Sequence, residues 1–328
     1  MVELAPPTAA ELLERMAGRR VVVIGDVMID EWIWGSVSRI SPEAPVPVVA
    51  VNNHSFTLGG AGNVAHNLRA LGANVDFIAA VGDDSEADRI TTLLAEIGIA
   101  GSGLVRVDDR PTTRKTRVVA QNQQVVRADW ESTSPLSDID RRRIIEKIAI
   151  SLEKADAVVL SDYNKGLMSR EIVEAALGCP LVVADPKPEN VRLFAGVNCI
   201  APNVSEAARA SGIAIVDAAS LERAGTALLD ELGCRYVVVT RGEAGMSLFG
   251  RDGERANIPS VARTVFDVSG AGDTVVAVLT LALAARIPIA TSVALANLAA
   301  GAVVEKLGTA TASPAEIISL LQFDHDGR

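Results

Sequence analysis

The chain has 328 residues, 49% hydrophobic and 22% charged, which suffices for one large or two ordinary domains with a sizeable core. Aromatics make up only 3%, so Val, Ala, Leu and Ile must fill that core. The 31 basic and 41 acidic side chains leave a net charge of -10. That balance argues against a nucleic-acid partner or a membrane surface, and any anion site must be built locally.

Three scattered cysteines, Cys179, Cys199 and Cys234, form no CxxC pair and fit buried thiols in a reducing compartment. With only His54, His66 and His325, a zinc cluster is not expected. Residues 1–20 carry Glu3, Glu11 and Glu14 without an apolar run, and read as a helical extension rather than a signal peptide. The longest apolar runs, 275–285 and 293–304, fall short of the roughly 18 residues a membrane span needs. A cytoplasmic protein is expected.

In chain order, short β-branched runs at 21–25, 75–81, 157–161, 181–184, 199–201 and 236–240 read as strands. Most are continuously apolar, as in strands buried on both faces of a parallel sheet. Helical patterns fall between them at 62–71, 86–97, 138–152, 170–177, 204–211 and 221–232, and the chain from 271 onward reads as mostly helical. This alternation predicts an α/β layered fold with a central, mostly parallel sheet flanked by helices. Two stretches interrupt it. Residues 41–51 (SPEAPVPVVAV) hold three prolines and read as an edge strand or extended segment. Residues 112–129 alternate loosely and turn near 121–123, predicting a β-hairpin. Both are read as a small β lid, about 32–57 and 110–130, inserted into a main domain over 21–322 that leaves 323–328 as a tail. No internal repeat or low-complexity tract is evident.

The most informative segment for chemistry is 267–274, DVSGAGDT, just before an apolar helix. Gly270 and Gly272, flanking Ala271, leave backbone N–H groups at a helix N-terminus open to a phosphate. Asp273 in the first turn is placed to accept a proton from an attacking hydroxyl. The plainer alternative, a turn with a capping aspartate, stays open. Residues 58–65, LGGAGNVA, read as a glycine-rich loop entering a helix, with Asn63 able to bind a polyol; a tight packing turn is the alternative. No strand is expected to lead directly into them, the glycines do not fit GxGxxG, and the chain contains no GxxxxGK[ST] loop. In 25–30, GDVMID, Asp26 and Asp30 follow the first strand, and Asp30 is a candidate for sugar hydroxyls or a turn aspartate. Asn203 and Glu206 can approach hydrated Mg²⁺ together or form a helix-capping box, and both roles are compatible. Thr240, Gly242 and Lys187 also sit at strand ends and are candidates for nucleotide phosphates.

Together and in this order, these segments resemble the ribokinase-like sugar kinases of the phosphofructokinase-B family. The Gly-Gly pair with Asn63 resembles the family's first signature, 267–273 its second (D-T-x-G-A-G-D), and 203–206 its N-x-x-E motif. Val268 departs from the usual threonine; Gly270, Ala271, Gly272 and Asp273 remain. Within the family, GDVMID, RISPEAPVPVV (39–49), LGGAGNVA and NQQVVRAD (122–129) resemble the bacterial D-glycero-β-D-manno-heptose 7-phosphate kinases.

The resemblance implies ATP-dependent phosphorylation of the anomeric hydroxyl to a 1,7-bisphosphate, supplying heptose for lipopolysaccharide. It implies Asp273 as base, with backbone donors at Gly270, Ala271 and Gly272 on the phosphoryl group. Asn203 and Glu206 are implied to hold Mg²⁺ through its waters, Lys187, Thr240 and Gly242 to bind ATP phosphates, and Asn297 to lie near adenine or ribose. Asp30, Gly59, Gly60 and Asn63 are implied for the sugar, Asp267 for a monovalent cation such as K⁺, and the lid for a homodimer. Separately from the resemblance, Arg110, Arg114, Lys115, Arg117 and Arg127 fall in one stretch without an intervening acid, and Lys115 and Arg117 are candidates for the 7-phosphate. Charged edge-strand residues that block aggregation are the alternative. An unphosphorylated-sugar or nucleoside kinase, and a non-catalytic sugar-binding regulator, remain as other readings.

Overall fold

The computed structural model describes residues 5–121, 123–262, 266–306 and 308–326, so Asn122 of the NQQVVRAD segment lies outside the described residues. The elements are α1 (Pro6–Met16), β1 (Arg20–Gly25), β2 (Val27–Ile40), β3 (Pro47–Gly60), α2 (Ala61–Ala70), β4 (Asn74–Gly82), α3 (Ser85–Glu96) and β5 (Leu104–Val107). There follow β6 (Thr113–Ala120), β7 (Gln123–Trp130), α4 (Asp138–Leu152), β8 (Ala157–Ser161), α5 (Arg170–Ala176), β9 (Val182–Asp185), β10 (Cys199–Ile200) and α6 (Val204–Ser211). The chain then forms α7 (Ala218–Leu232), β11 (Tyr236–Thr240), β12 (Met246–Gly250), β13 (Arg255–Ile258), α8 (Ala271–Ala284), α9 (Ile289–Val304) and α10 (Pro314–Asp326).

Nine strands form one sheet in the order β13-β12-β11-β10-β9-β8-β1-β4-β5. Pairing is parallel from β11 to β5 and antiparallel at β12 and β13. The parallel strands are largely apolar because both faces are covered, with polar residues such as Arg20, Asn74, Asp185 and Thr240 at their ends. Along β1, Val21 and Val23 join one core with α2, α3, α8 and α9, whereas Val22 and Ile24 join a second core with α4, α5 and α7. Ala9 and Met16 of α1 are fully buried in the first core, so the N-terminal helix packs into the main body. Helix α10 continues to Asp326, through most of the stretch read as a tail. Truncating a buried side chain such as Leu279 of α8 should cost about 2–5 kcal/mol.

Side-chain caps fix several helix starts at the carboxyl edge of this sheet. Asp84 accepts the Ala87 N–H, Ser137 the Asp140 N–H, and Asn203 with Glu206 forms a reciprocal capping box.

A second, four-stranded sheet has the order β3-β2-β6-β7 and is built from the stretches read as a lid. It is larger than the sequence suggested. Strand β2 begins at Val27, so Asp30 is a strand residue, not part of a loop after β1. Strand β3 runs to Gly60 and α2 starts at Ala61, so a strand does lead directly into the glycine pair, contrary to expectation. Gly59 pairs with Met28 and Gly60 with Val27 across the ladder. A Cβ at Gly59 would collide with the Asp30 carboxylate, which explains a glycine inside a strand.

Candidate active site

Helix α8 starts at the carboxyl edge of the sheet with Gly270 at its N-cap, in the left-handed region at φ 80°. A Cβ there would come within 2.6 Å of Asn63 Nδ2, so glycine also allows the approach of α2. The Ala271 N–H turns back to the Val268 carbonyl at 3.3 Å. Among the described residues no acceptor is found for the N–H of Gly272 or Asp273, and a Cβ at Gly272 would enter open space. Of the expected trio Gly270, Ala271 and Gly272, only the Ala271 N–H has an acceptor among the described residues. Open N–H groups of this kind at a first helical turn can bind an anion.

Asp273 is 4% exposed. Its Oδ2 accepts from Asn63 Nδ2 at 2.8 Å and its Oδ1 from the Tyr163 hydroxyl at 2.7 Å. Burial pushes its carboxyl up to about 6, held back by the bonds from Asn63 and Tyr163 and by the charge of Lys187. A carboxylate with that value is suited to take a proton near neutral pH. Asn63 is fully buried and held by Asn67, whose Nδ2 donates to the Asn63 carbonyl at 3.0 Å. Asn67 is fixed in turn by the Thr274 hydroxyl, which donates to its Oδ1 at 2.9 Å.

A cavity of about 580 Å³ opens beside Asp273 and brings together Lys187, Asn203, Glu206, Thr240, Gly242, Gly270, Ala271, Gly272 and Asn297. All the residues expected to serve ATP therefore share one space. Lys187 Nζ donates to Glu206 Oε1 at 2.6 Å, while Glu206 Oε2 accepts the Asn203 N–H at 3.0 Å. Burial alone would lower the Lys187 ammonium, but Asp185 and Glu206 reverse this and hold it charged. Asn297 donates Nδ2 to the Pro259 carbonyl at 2.7 Å on the far wall.

Among the other residues lining this cavity are Tyr163 and Asp185, which sequence reasoning did not single out as site residues. They follow β8 and end β9, at the carboxyl edge where ligands bind open α/β sheets, and that position was the available signal. Asp185 is 7% exposed, and its carboxylate has no hydrogen-bond partner among the described residues. Burial pushes it up to about 8 despite Lys187 nearby. With Glu206, this carboxylate fits a hydrated Mg²⁺, which takes oxygen ligands and keeps several waters.

Asp26 lies 4% exposed beneath the site. Its carboxylate accepts the N–H of Tyr163 at 2.9 Å, Lys165 at 3.0 Å and Leu167 at 3.3 Å. It holds the loop after β8.

The sugar candidates lie on the lid side. Asp30, 5% exposed on β2, pairs with Arg117 on β6, whose guanidinium lies 4.9 Å from the Trp32 ring centroid. Gly59, Gly60 and Asn63 border the same corner through the β3–α2 junction. The basic lid side chains already hold partners. Lys115 binds Asp129 at 2.9 Å and Glu131 at 3.1 Å, Arg114 binds Glu86 at 2.8 Å, and Arg127 binds Asp129 at 2.9 Å. Arg110 donates to the Ser132 carbonyl at 3.2 Å and to the Lys165 carbonyl. Asp267 accepts the N–H of Ser269 and of Gly308, each at 2.9 Å, closing the turn before α8.

Known proteins place this arrangement. The bifunctional protein HldE of Desulfatibacillum aliphaticivorans is 46% identical over 309 residues, covering 92% of this chain and 63% of that protein. The one from Trichlorobacter lovleyi is 42% identical over 319 residues, covering 96% and 65%. The chain thus spans less than two thirds of the length of these relatives. Among solved structures, phosphofructokinase-2 from Escherichia coli in complex with potassium superposes with a TM-score of 0.78 at 18% identity, covering 93% of this chain and 99% of that one. Arabidopsis thaliana ribokinase complexed with ribose and ATP gives 0.73 at 20%, covering 94% and 99%. These two likenesses establish a ribokinase-like fold. The pfkB family carbohydrate kinase profile matches residues 19–316, and the chain belongs to that family of phosphotransferases acting on a sugar hydroxyl.

Proposed function

We propose that this chain is the ATP-dependent kinase of D-glycero-β-D-manno-heptose 7-phosphate, phosphorylating the anomeric hydroxyl to give the 1,7-bisphosphate. The observation that carries the chemistry is the buried carboxylate of Asp273 beside open N–H donors at the start of α8. Likeness to the HldE proteins over nearly the whole chain, with the lid segment RISPEAPVPVV, supports the heptose substrate.

In this mechanism Asp273 removes the proton of the anomeric hydroxyl as its oxygen bonds to the γ-phosphorus. The bond from that phosphorus to the β–γ bridging oxygen breaks, and ADP leaves with the electron pair. The N–H groups of Gly272 and Asp273 meet the phosphoryl oxygens as charge shifts, and Lys187 adds a positive charge beside them. Thr240 and Gly242 face the remaining phosphates and Asn297 the nucleoside end. Mg²⁺, when bound, neutralises phosphate oxygens, and Asp185 with Glu206 and Asn203 would hold it through waters. Asp30, Gly59, Gly60 and Asn63 bind the sugar, and Arg117 with Lys115 its 7-phosphate. Asp267 remains the proposed neighbour of a K⁺ ion.

The proposal includes a cytoplasmic setting, supported by three buried free thiols, and a homodimer through the lid. Exposed Val46, Val51, Val125 and Val126 on the lid support the latter. No described helix is long and apolar enough to cross a membrane.

A second reading, a kinase of an unphosphorylated sugar, is favoured by one observation: Arg114, Lys115, Arg117 and Arg127 are all ion-paired within the chain. ADP release across heptose 7-phosphate, fructose 6-phosphate, ribose, fructose and adenosine separates the two. Turnover confined to heptose 7-phosphate, with a phosphorus NMR signal for an anomeric phosphate, supports the first reading. Preference for a sugar without phosphate overturns it.

A further inference from the structure

We propose that Tyr163 is a positioning residue for the base: its hydroxyl clamps Asp273 in the proton-accepting orientation and keeps that carboxylate ionised inside the protein. The inference rests on the reading of Asp273 as the general base and adds the residue that makes the base workable.

The geometry is specific. Asp273 receives one donor on each oxygen, Asn63 on Oδ2 at 2.8 Å and Tyr163 on Oδ1 at 2.7 Å. Two donors from different elements fix the carboxylate plane. Each oxygen keeps a further lone pair, so a substrate hydroxyl can still be accepted. The phenol is itself well placed to remain a donor, because burial and the adjacent carboxylate push its ionisation far up.

The aromatic ring is held on several sides. A Cβ at Gly60 would lie 3.4 Å from Tyr163 Cδ2, and Lys187 Nζ lies 5.1 Å from the ring centroid. Its backbone is held by Asp26, which accepts the Tyr163 N–H at 2.9 Å. Asp26, just after β1, thus reaches the base through Tyr163 and is not among the residues lining the cavity.

The other charged groups facing Asp273 do not replace this clamp. Asp30 from β2 and Asp185 from the end of β9 add negative charge, and Lys187 attracts from the loop beyond β9. Glu206 of α6 occupies the Lys187 ammonium at 2.6 Å. From α2 the neutral Asn63 donates to Asp273.

The test is the pH profile of kcat/KM for Tyr163→Phe, which keeps the ring and its packing and removes only the hydroxyl. Losing a hydrogen bond to a charged group should move the acidic limb up by about one pH unit. ATP binding, followed by calorimetry, should stay within about threefold of the parent, since the hydroxyl is spent on Asp273. An acidic limb that superimposes on the parent's overturns the proposal. Should Tyr163→Phe fold poorly, 3-fluorotyrosine can be incorporated instead. The chain has only two tyrosines, and Tyr236 can be replaced by Phe in the parent. The stronger phenol donor should then move the limb down, and an unmoved limb overturns the proposal equally. Asp273→Asn run alongside separates the two levels. If it turns over normally, the base reading itself fails; if it is inactive while Tyr163→Phe leaves the limb unmoved, only the role of Tyr163 fails.

Discussion

Asn63 Nδ2 donates to Asp273 Oδ2 at 2.8 Å, joining residues 210 positions apart in the chain. The bond ties the corner where β3 enters α2 to the first turn of α8, so the proposed sugar and phosphoryl sides meet at one carboxylate. Asn63→Ala should therefore lower kcat by about 10- to 100-fold, the value of one charge-assisted bond at a reacting group. Steady-state kinetics check this; an unchanged kcat would make Asn63 a packing residue.

The pH dependence follows from the same carboxylate. Burial raises Asp273 from its ordinary range to about 6, and as the proposed base it must be ionised to act. Activity should fall as pH drops through that value. A kcat/KM profile flat down to pH about 4 would contradict the assignment.

Stability should move the other way at Asp185. Its carboxyl is raised in the fold to about 8, so the native state binds more protons than the unfolded chain between the ordinary carboxylate range and that value. Stability is then lost as pH rises through this window. Asp185→Asn should stabilise the unliganded protein at pH 8, by about 1–3 kcal/mol, while weakening Mg²⁺-ATP binding. Thermal melts at pH 5 and 8 decide it, and a Tm that falls on substitution at pH 8 would refute the burial argument.

Gly60 is held at φ 60°, and a Cβ there would come within 2.5 Å of the Asp26 carbonyl oxygen. Gly60→Ala should cost about 1–3 kcal/mol and lower activity by displacing Tyr163 and Asn63. Chemical denaturation of the variant measures the cost directly.

At the lid, Arg117→Gln and Lys115→Gln should raise KM for heptose 7-phosphate about tenfold or more while leaving an unphosphorylated sugar unaffected. Equal KM changes for both sugars would remove the phosphate role and leave these side chains as ion-pair partners of Asp30 and Asp129.

The parallel sheet was legible because its strands are short apolar runs: 157–161 and 236–240 coincide with β8 and β11. The lid was legible only in part. Strand β2 carries Gly35 and alternates poorly, and β3 ends in two glycines that propensity alone rejects. Those glycines are tolerated because Asp30 and Asp26 occupy the space a side chain would take, a tertiary fact. Strands β5, β12 and β13 were missed, having four or five residues each at or near a sheet edge. Asp273, Asn203 and Glu206 could be picked out from local motifs. Tyr163 could not, because its meaning lies in a bond to Asp273, 110 residues away. The basic stretch of the lid looked unpaired in sequence for the same reason. The acids that neutralise Arg117 and Arg114 come from β2 and α3.

Rapid-quench measurement of the single-turnover rate of Asp273→Asn, with saturating Mg²⁺-ATP and heptose 7-phosphate, probes the chemistry without interference from product release. Loss of the general base should slow phosphoryl transfer by about 10²- to 10⁴-fold with ATP binding largely intact. Transfer at the parent rate would show that the carboxylate is structural and that the hydroxyl loses its proton elsewhere.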